Sequence, residues 1–229
     1  MVMRLARRGW RGFINFVDRF GPIDRFASVW DDEAQHKQRD LLCRIAEVAE
    51  AHELKLFLFW GSLLGQIREG RIMDWDDDVD VALFDADDPT IAAFLAALDR
   101  TGLKSLVHNP GERIIKIFDP SYPALSGYPW TWPFVDLFAY TAPDLPRPPL
   151  EPSPAALELI LPGQRICFET ASLWVAEHPL AVLDVLYADW RTTERSPSWS
   201  HRMEKPIVAT RARGIVTDAN GRKVPGPKT

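Results

Sequence analysis

Apolar positions recur along this chain with two periods, and the switches between them outline a sequence of helices and strands. Leu41, Leu42, Ile45, Val48 and Ala49 have the spacing of one helix face, predicting a helix over Ala34 to His52. Leu56 to Trp60 is a short continuous apolar run with the aromatic content of a buried strand. Gly61 and Ser62 mark a turn, and Leu63 to Glu69 predict a short helix capped by Ser62. From Val79 to Phe84 the pattern is a strand whose alternation sets Asp78 and Asp80 on one face and Val79 and Val81 on the other. Asp88-Pro89 starts a helix with Ile91, Phe94, Leu95 and Leu98 on its apolar side, and Gly102 stops it. Leu103 to His108 and Arg113 to Phe118 flank Asn109-Pro110-Gly111-Glu112 as a strand pair, and Phe134 to Tyr140 is a further strand. Leu157 to Leu161 and Arg165 to Glu169 flank Pro162-Gly163 as a hairpin, before a helix over Pro179 to Trp190 with Leu180, Leu183, Leu186 and Tyr187 inward.

Composition divides the chain further. Residues 1–27 form a basic amphipathic N-terminal segment in which Arg4, Arg7, Arg8 and Arg11 interleave with Leu5, Trp10, Phe13, Ile14, Val17 and Phe20, closed by Gly21-Pro22. Such a segment can lie on an anionic membrane face or pack its aromatic side on the domain. Residues 28–142 hold the core, six prolines make residues 143–154 a stiff connector, residues 155–202 supply a hairpin and helix that pack on the core, and residues 203–229 are expected to be a loosely ordered tail. A chain of 229 residues with 46% apolar content buries one sizeable core.

A net charge of −5 offers no general attraction for nucleic acid, so no nucleic-acid partner is expected. Cys43 and Cys167 have no CxxC spacing and read as buried thiols of a reducing compartment, which excludes a zinc-ribbon or disulfide scaffold. No apolar run reaches membrane-span length, and the N-terminus lacks the core of a secretory signal. The expected location is cytoplasmic, with peripheral contact at the inner membrane face open through residues 1–20.

The chemistry concentrates at Trp75-Asp76-Asp77-Asp78-Val79-Asp80. Carboxylates at positions i and i+2 of a strand lie roughly 7 Å apart at Cα, close enough to ligate one hard cation or a close pair. Like charges packed this tightly repel, and a divalent metal is the simplest compensation. Asp136, midway along the apolar run Phe134 to Tyr140, is costly to bury without a cation and is the natural third ligand. Lys116 shares a strand face with Ile114 and Phe118, and reads either as a contact to a donor phosphate or active-site aspartate, or as a snorkelling edge residue. Tyr122, Tyr128, Trp130 and Trp132 offer faces for stacking a sugar or base, or a cap for the core. Core capping is the better reading.

Trp60-Gly61-Ser62-Leu63-Leu64-Gly65, then Arg68, then Trp75-Asp76-Asp77-Asp78-Val79-Asp80 resembles the signature of the LicD/fukutin-related family, and Phe134-Val135-Asp136-Leu137-Phe138 resembles its second acidic strand. The likeness is continuous to about Arg191, departing where Asp74 stands in place of a common proline and Ala188 in place of a common glycine. It implies an α/β (α+β) domain of nucleotidyltransferase-like fold, a mixed β-sheet flanked by helices, and a metal-dependent transferase. That enzyme would move a phosphocholine- or polyol-phosphate-like group from a CDP-activated donor to a glycan or glycolipid acceptor. On this reading Asp78, Asp80 and Asp136 are catalytic and, with Asp76, bind Mg²⁺ or Mn²⁺, while Gly61, Ser62, Arg68 and Lys116 contact the donor. Two alternatives stay open: nucleotidyl transfer to a small hydroxylated acceptor, and a non-catalytic glycan- or partner-binding module that retains the fold.

Overall fold

The apolar runs Val79–Phe84 and Phe134–Tyr140 lie side by side inside a seven-stranded mixed sheet, where nearly every residue of both is buried. The computed structural model describes residues 28–84, 86–109, 114–125, 127–140, 154–187 and 189–192, together with two short strands further on. In chain order the elements are α1 (Asp32–Ala51), β1 (Phe57–Leu58), α2 (Trp60–Glu69), β2 (Val79–Phe84), α3 (Asp88–Arg100), β3 (Lys104–Asn109), β4 (Ile114–Phe118) and β5 (Phe134–Tyr140). They continue with α4 (Pro154–Ile160), β6 (Gln164–Phe168), β7 (Ala171–Val175), α5 (Pro179–Leu186), β8 (Ile215–Thr217) and β9 (Lys223–Pro225).

The sheet runs β3-β4-β5-β2-β1-β7-β6. β2 and β5 are parallel, as are β1 and β7, and the remaining neighbours are antiparallel. The fold class is therefore the expected mixed α/β arrangement. α1 packs on α3 and against β5 and β7, while α2 packs against β2 and α5. Phe57, Phe59, Phe94, Phe134 and Phe168 are among the largest wholly buried side chains, so aromatic rings fill much of the space between sheet and helices.

Several local expectations shift. β1 is only two residues long because Phe59 is extended and donates its N–H to Asp80 O, after which Trp60 turns the chain at φ 39° and α2 begins. Ser62 therefore sits inside α2 instead of capping it, and Phe59 at the cap position makes no side-chain bond. Leu157 to Ile160 are helical, in α4, where a strand was expected; Leu161 N–H closes that turn on Leu157 O at 2.7 Å. A short apolar run does not by itself separate strand from buried helix. The hairpin comes one step later, between β6 and β7, and β7 pairs with β1 at Phe57↔Trp174, so it extends the same sheet. α5 stops at Leu186, since Tyr187 is extended, and Leu180 faces solvent.

The N-terminal segment 1–27, the turn 110–113, the proline run 141–153 and most of residues 193–229 lie outside the described residues. Within the last stretch β8 and β9 pair as an antiparallel ribbon.

Candidate active site

Strand register assembles the centre of the site. Asp80 is paired with Asp136 across parallel β2 and β5, and Asp136 is paired with Lys116 across antiparallel β5 and β4. Directly opposed residues project to the same face of a sheet. Asp78, one pleat before Asp80, joins them. Asp78, Asp80 and Asp136 each offer a carboxylate oxygen within 4.8 Å of the others, and all three residues are buried. Asp76, Asp77 and Asp78 form a second group within the same limit, so Asp78 belongs to both.

Two residues of α2 fix Asp80. Ser62, 2% exposed, accepts a hydrogen bond from Asp80 N–H at 2.8 Å, and Gly61 N–H donates to Asp80 Oδ2 at 3.2 Å. Gly61 thus holds the Asp80 carboxylate, and Ser62 holds the Asp80 backbone. Gly61 is glycine for reasons of space: a β-carbon there would overlap the Asp76 carboxylate. Trp60-Gly61-Ser62 brings the start of α2 against β2, and a larger residue at position 61 would make the Asp76 carboxylate shift.

Lys116 lies beside Asp136, with Nζ 2.9 Å from Oδ1 and 3.2 Å from Oδ2, and is 2% exposed. Its ammonium sits 3.8 Å from the Phe134 ring centre and 4.9 Å from that of Trp130. A buried cation needs a partner of opposite charge and benefits from aromatic faces. Of the two sequence readings, the aspartate contact describes the structure, since a snorkelling edge lysine would carry its head to water.

The loop between α2 and β2, which carries Asp76 and Asp77, is held through its backbone. Trp30 Nε1 donates to Asp76 O at 2.7 Å, Trp132 Nε1 donates to Asp77 O at 2.8 Å, and Val29 N–H donates to Asp74 O at 3.0 Å. The two indoles stack with centres 5.0 Å apart. Trp130 and Trp132 are each 4% exposed, so these rings cap the core. Sequence reasoning missed Trp30 as a part of the site and missed the reach of Trp132 to Asp77, because no local period marks a contact so distant along the chain.

Asp119 anchors the loop that leads from β4 to Trp130 and Trp132. Burial pushes its carboxyl up, but hydrogen bonds from Ser121 and the Arg44 guanidinium, 2.6 Å away, outweigh it and hold the group below its ordinary value. Tyr122 donates to Lys37 O and Asp40 Oδ2, and burial followed by the charges of Asp40 and Asp119 push its hydroxyl up to about 12.

Arg68, in the last turn of α2, donates to Trp190 O and lines an open cavity of about 490 Å³ with Glu69, Trp75, Trp190, Arg191 and Thr192. Asp87, outside both acidic groups, caps α3 by accepting from Thr90 N–H at 2.9 Å.

The donor set at Asp78, Asp80 and Asp136 consists of buried, converging carboxylate oxygens, hard ligands of the kind that could hold a metal ion. Among the described residues no helix is long and apolar enough to cross a membrane.

Comparison with known proteins gives a family likeness over part of the chain. Residues 53–147 match the family described as LicD/FKTN/FKRP, nucleotidyltransferase domain. A search of curated proteins found no match. Among solved structures the chain is similar to one described as the crystal structure of ANT(2")-Ia in complex with adenylyl-2"-tobramycin. The TM-score is 0.40 and the identity 14%, over 77% of this chain and 90% of that one.

Proposed function

We propose, on the match of residues 53–147 to the LicD/FKTN/FKRP family, a metal-dependent transferase that moves a phospho-alcohol group from a CDP-activated donor to a hydroxyl of a glycan or glycolipid. The group transferred would be of the phosphocholine or polyol-phosphate kind. The observation that carries the reading is the convergence of Asp78, Asp80 and Asp136 in one buried cluster beside the start of α2.

Asp78, Asp80 and Asp136 would hold Mg²⁺ or Mn²⁺, with Asp76 as a further ligand. When bound, the cation supplies charge stabilisation for the donor diphosphate and the departing nucleotide. Ser62 and Gly61 keep Asp80 in place, and Lys116 keeps Asp136 in place, so neither carboxylate must reorganise during the reaction. The acceptor oxygen attacks the phosphorus that bears the alcohol, the bond from that phosphorus to CMP breaks, and the hydroxyl proton passes to a carboxylate of the cluster. Residues 1–20 would bring the enzyme to an anionic membrane surface where a glycolipid acceptor lies.

The test is incubation of the full chain with CDP-alcohols, CDP-sugars and nucleoside triphosphates plus Mg²⁺ or Mn²⁺, identifying every phosphorus-containing product. Release of CMP with a phosphodiester on the acceptor supports the proposal. Pyrophosphate release with a nucleotidylated acceptor would replace it by nucleotidyl transfer, and absence of both turnover and metal binding would replace it by a binding module.

A further inference from the structure

The turn between β6 and β7 puts a glutamate where the backbone favours glycine. Glu169 has φ 56°, and Thr170 N–H donates to Phe168 O at 2.7 Å across it, the pattern of a tight three-residue turn of the strained hand. A non-glycine residue in that region costs on the order of 1 kcal/mol or more and persists where its side chain has work to do. The Glu169 side chain is 8% exposed. It accepts Ile72 N–H on Oε1 at 2.9 Å and Arg39 Nε on Oε2 at 2.8 Å. One carboxylate thereby ties three separate parts of the chain together: the far hairpin, helix α1, and the start of the loop that runs to Asp76, Asp77 and Asp78.

That loop is already fixed at its distal end by Trp30 and Trp132, which hold the carbonyls of Asp76 and Asp77. Its proximal end follows Gly70, which closes α2 in the left-handed conformation, and Gly65 packs so closely on Arg71 that a β-carbon would lie 2.6 Å from the Arg71 carbonyl oxygen. Glu169 supplies the hydrogen bond for the next backbone N–H, that of Ile72. Loop position at both ends sets where Asp76, Asp77 and Asp78 stand relative to Asp80 and Asp136, whose places are set by strand pairing.

We propose that Glu169, outside residues 53–147, is a positioning residue of the metal centre: it holds the α2–β2 loop so that the loop carboxylates meet those of β2 and β5. The inference rests on the reading of Asp78, Asp80 and Asp136 as metal ligands. The hydrogen bond to Ile72 carries the effect, and the ion pair with half-exposed Arg39 adds little to it.

The experiment compares the full-length wild type with Glu169→Gly, Glu169→Gln and Arg39→Ala. Two readouts are used: Mn²⁺ affinity, and hydrogen exchange of the backbone amides over residues 70–78. Glu169→Gly relieves the turn backbone, so the variant folds and a purely structural role predicts no loss at the metal. The expected result is faster exchange over residues 70–78 and about tenfold or greater weakening of Mn²⁺ binding in Glu169→Gly. Glu169→Gln, which still presents an acceptor to Ile72, should recover most of both, and Arg39→Ala should lose little of either. Unchanged exchange in Glu169→Gly overturns the proposal, as does Mn²⁺ binding equal to wild type. If the wild type itself fails to bind Mn²⁺, the metal-centre reading falls and the positioning role falls with it, whatever the exchange shows.

Discussion

Lys116 and Asp136 face each other across β4 and β5 as a buried ion pair, the lysine ammonium 2.9 Å from the carboxylate that also borders Asp80. Removing one member of such a pair leaves the other charge buried without its partner. Lys116→Met should destabilise the metal-free protein by about 3 kcal/mol in urea unfolding. Added Mn²⁺ should then raise the midpoint more in the variant than in the wild type, because a bound cation takes over the lost compensation. A variant as stable as wild type without metal would show that Lys116 does not hold the cluster together.

Asp78→Asn and Asp80→Asn keep side-chain size and remove a negative ligand. Metal-dependent turnover should fall at least about a hundredfold in each, in line with the several kcal/mol that metal-based charge stabilisation supplies. Asp87→Asn is the control, since Asp87 caps α3 and asparagine caps a helix equally well. Initial rates at saturating Mg²⁺ decide the matter: equal damage at positions 80 and 87 would sink the assignment.

Trp132→Phe retains an aromatic ring in the core but deletes the donor that meets Asp77 O. A buried carbonyl left without its hydrogen bond costs about 1–2 kcal/mol. The expected phenotype is that loss in stability together with weaker Mn²⁺ binding, measured by denaturant titration and by calorimetry. Unaltered Mn²⁺ affinity would confine Trp132 to packing.

Asp119 links stability to pH. Its carboxyl is held below the ordinary value of 3.8, so the folded state binds its proton less tightly than the unfolded chain does. The associated stability is complete above that ordinary value and is lost as pH falls through the lower folded one. The stability difference between wild type and Asp119→Asn should therefore be flat from neutral pH down to about 5 and should shrink below about 4. Tyr122 acts at the other extreme. Its folded value near 12 lies above the ordinary 10.0, so its contribution holds below pH 10 and is lost as pH rises from there toward 12. Thermal unfolding across both windows checks the signs, and an Asp119→Asn curve parallel to wild type in acid would refute the first.

Much of this protein is legible in one dimension. The period of two along Val79–Phe84 places Asp78 and Asp80 on one face, the isolated carboxylate in Phe134–Tyr140 announces a cation, and the signature from Trp60 to Asp80 carries the family likeness. These features follow from the backbone itself, because alternation and turn chemistry depend on neighbours in sequence. Tertiary structure alone decided that Asp80 stands beside Asp136 and Asp136 beside Lys116, since strand order is chosen by burial of the whole sheet. It likewise turned Ser62 from a helix cap into a support for Asp80, and brought Trp30, Trp132 and Glu169 onto the acidic loop from 46, 55 and 97 residues away. Hydrogen bonds across such separations have no period to betray them. They exist because backbone groups drawn out of water beside the acidic cluster must find partners, and the fold supplied whichever side chains stood near.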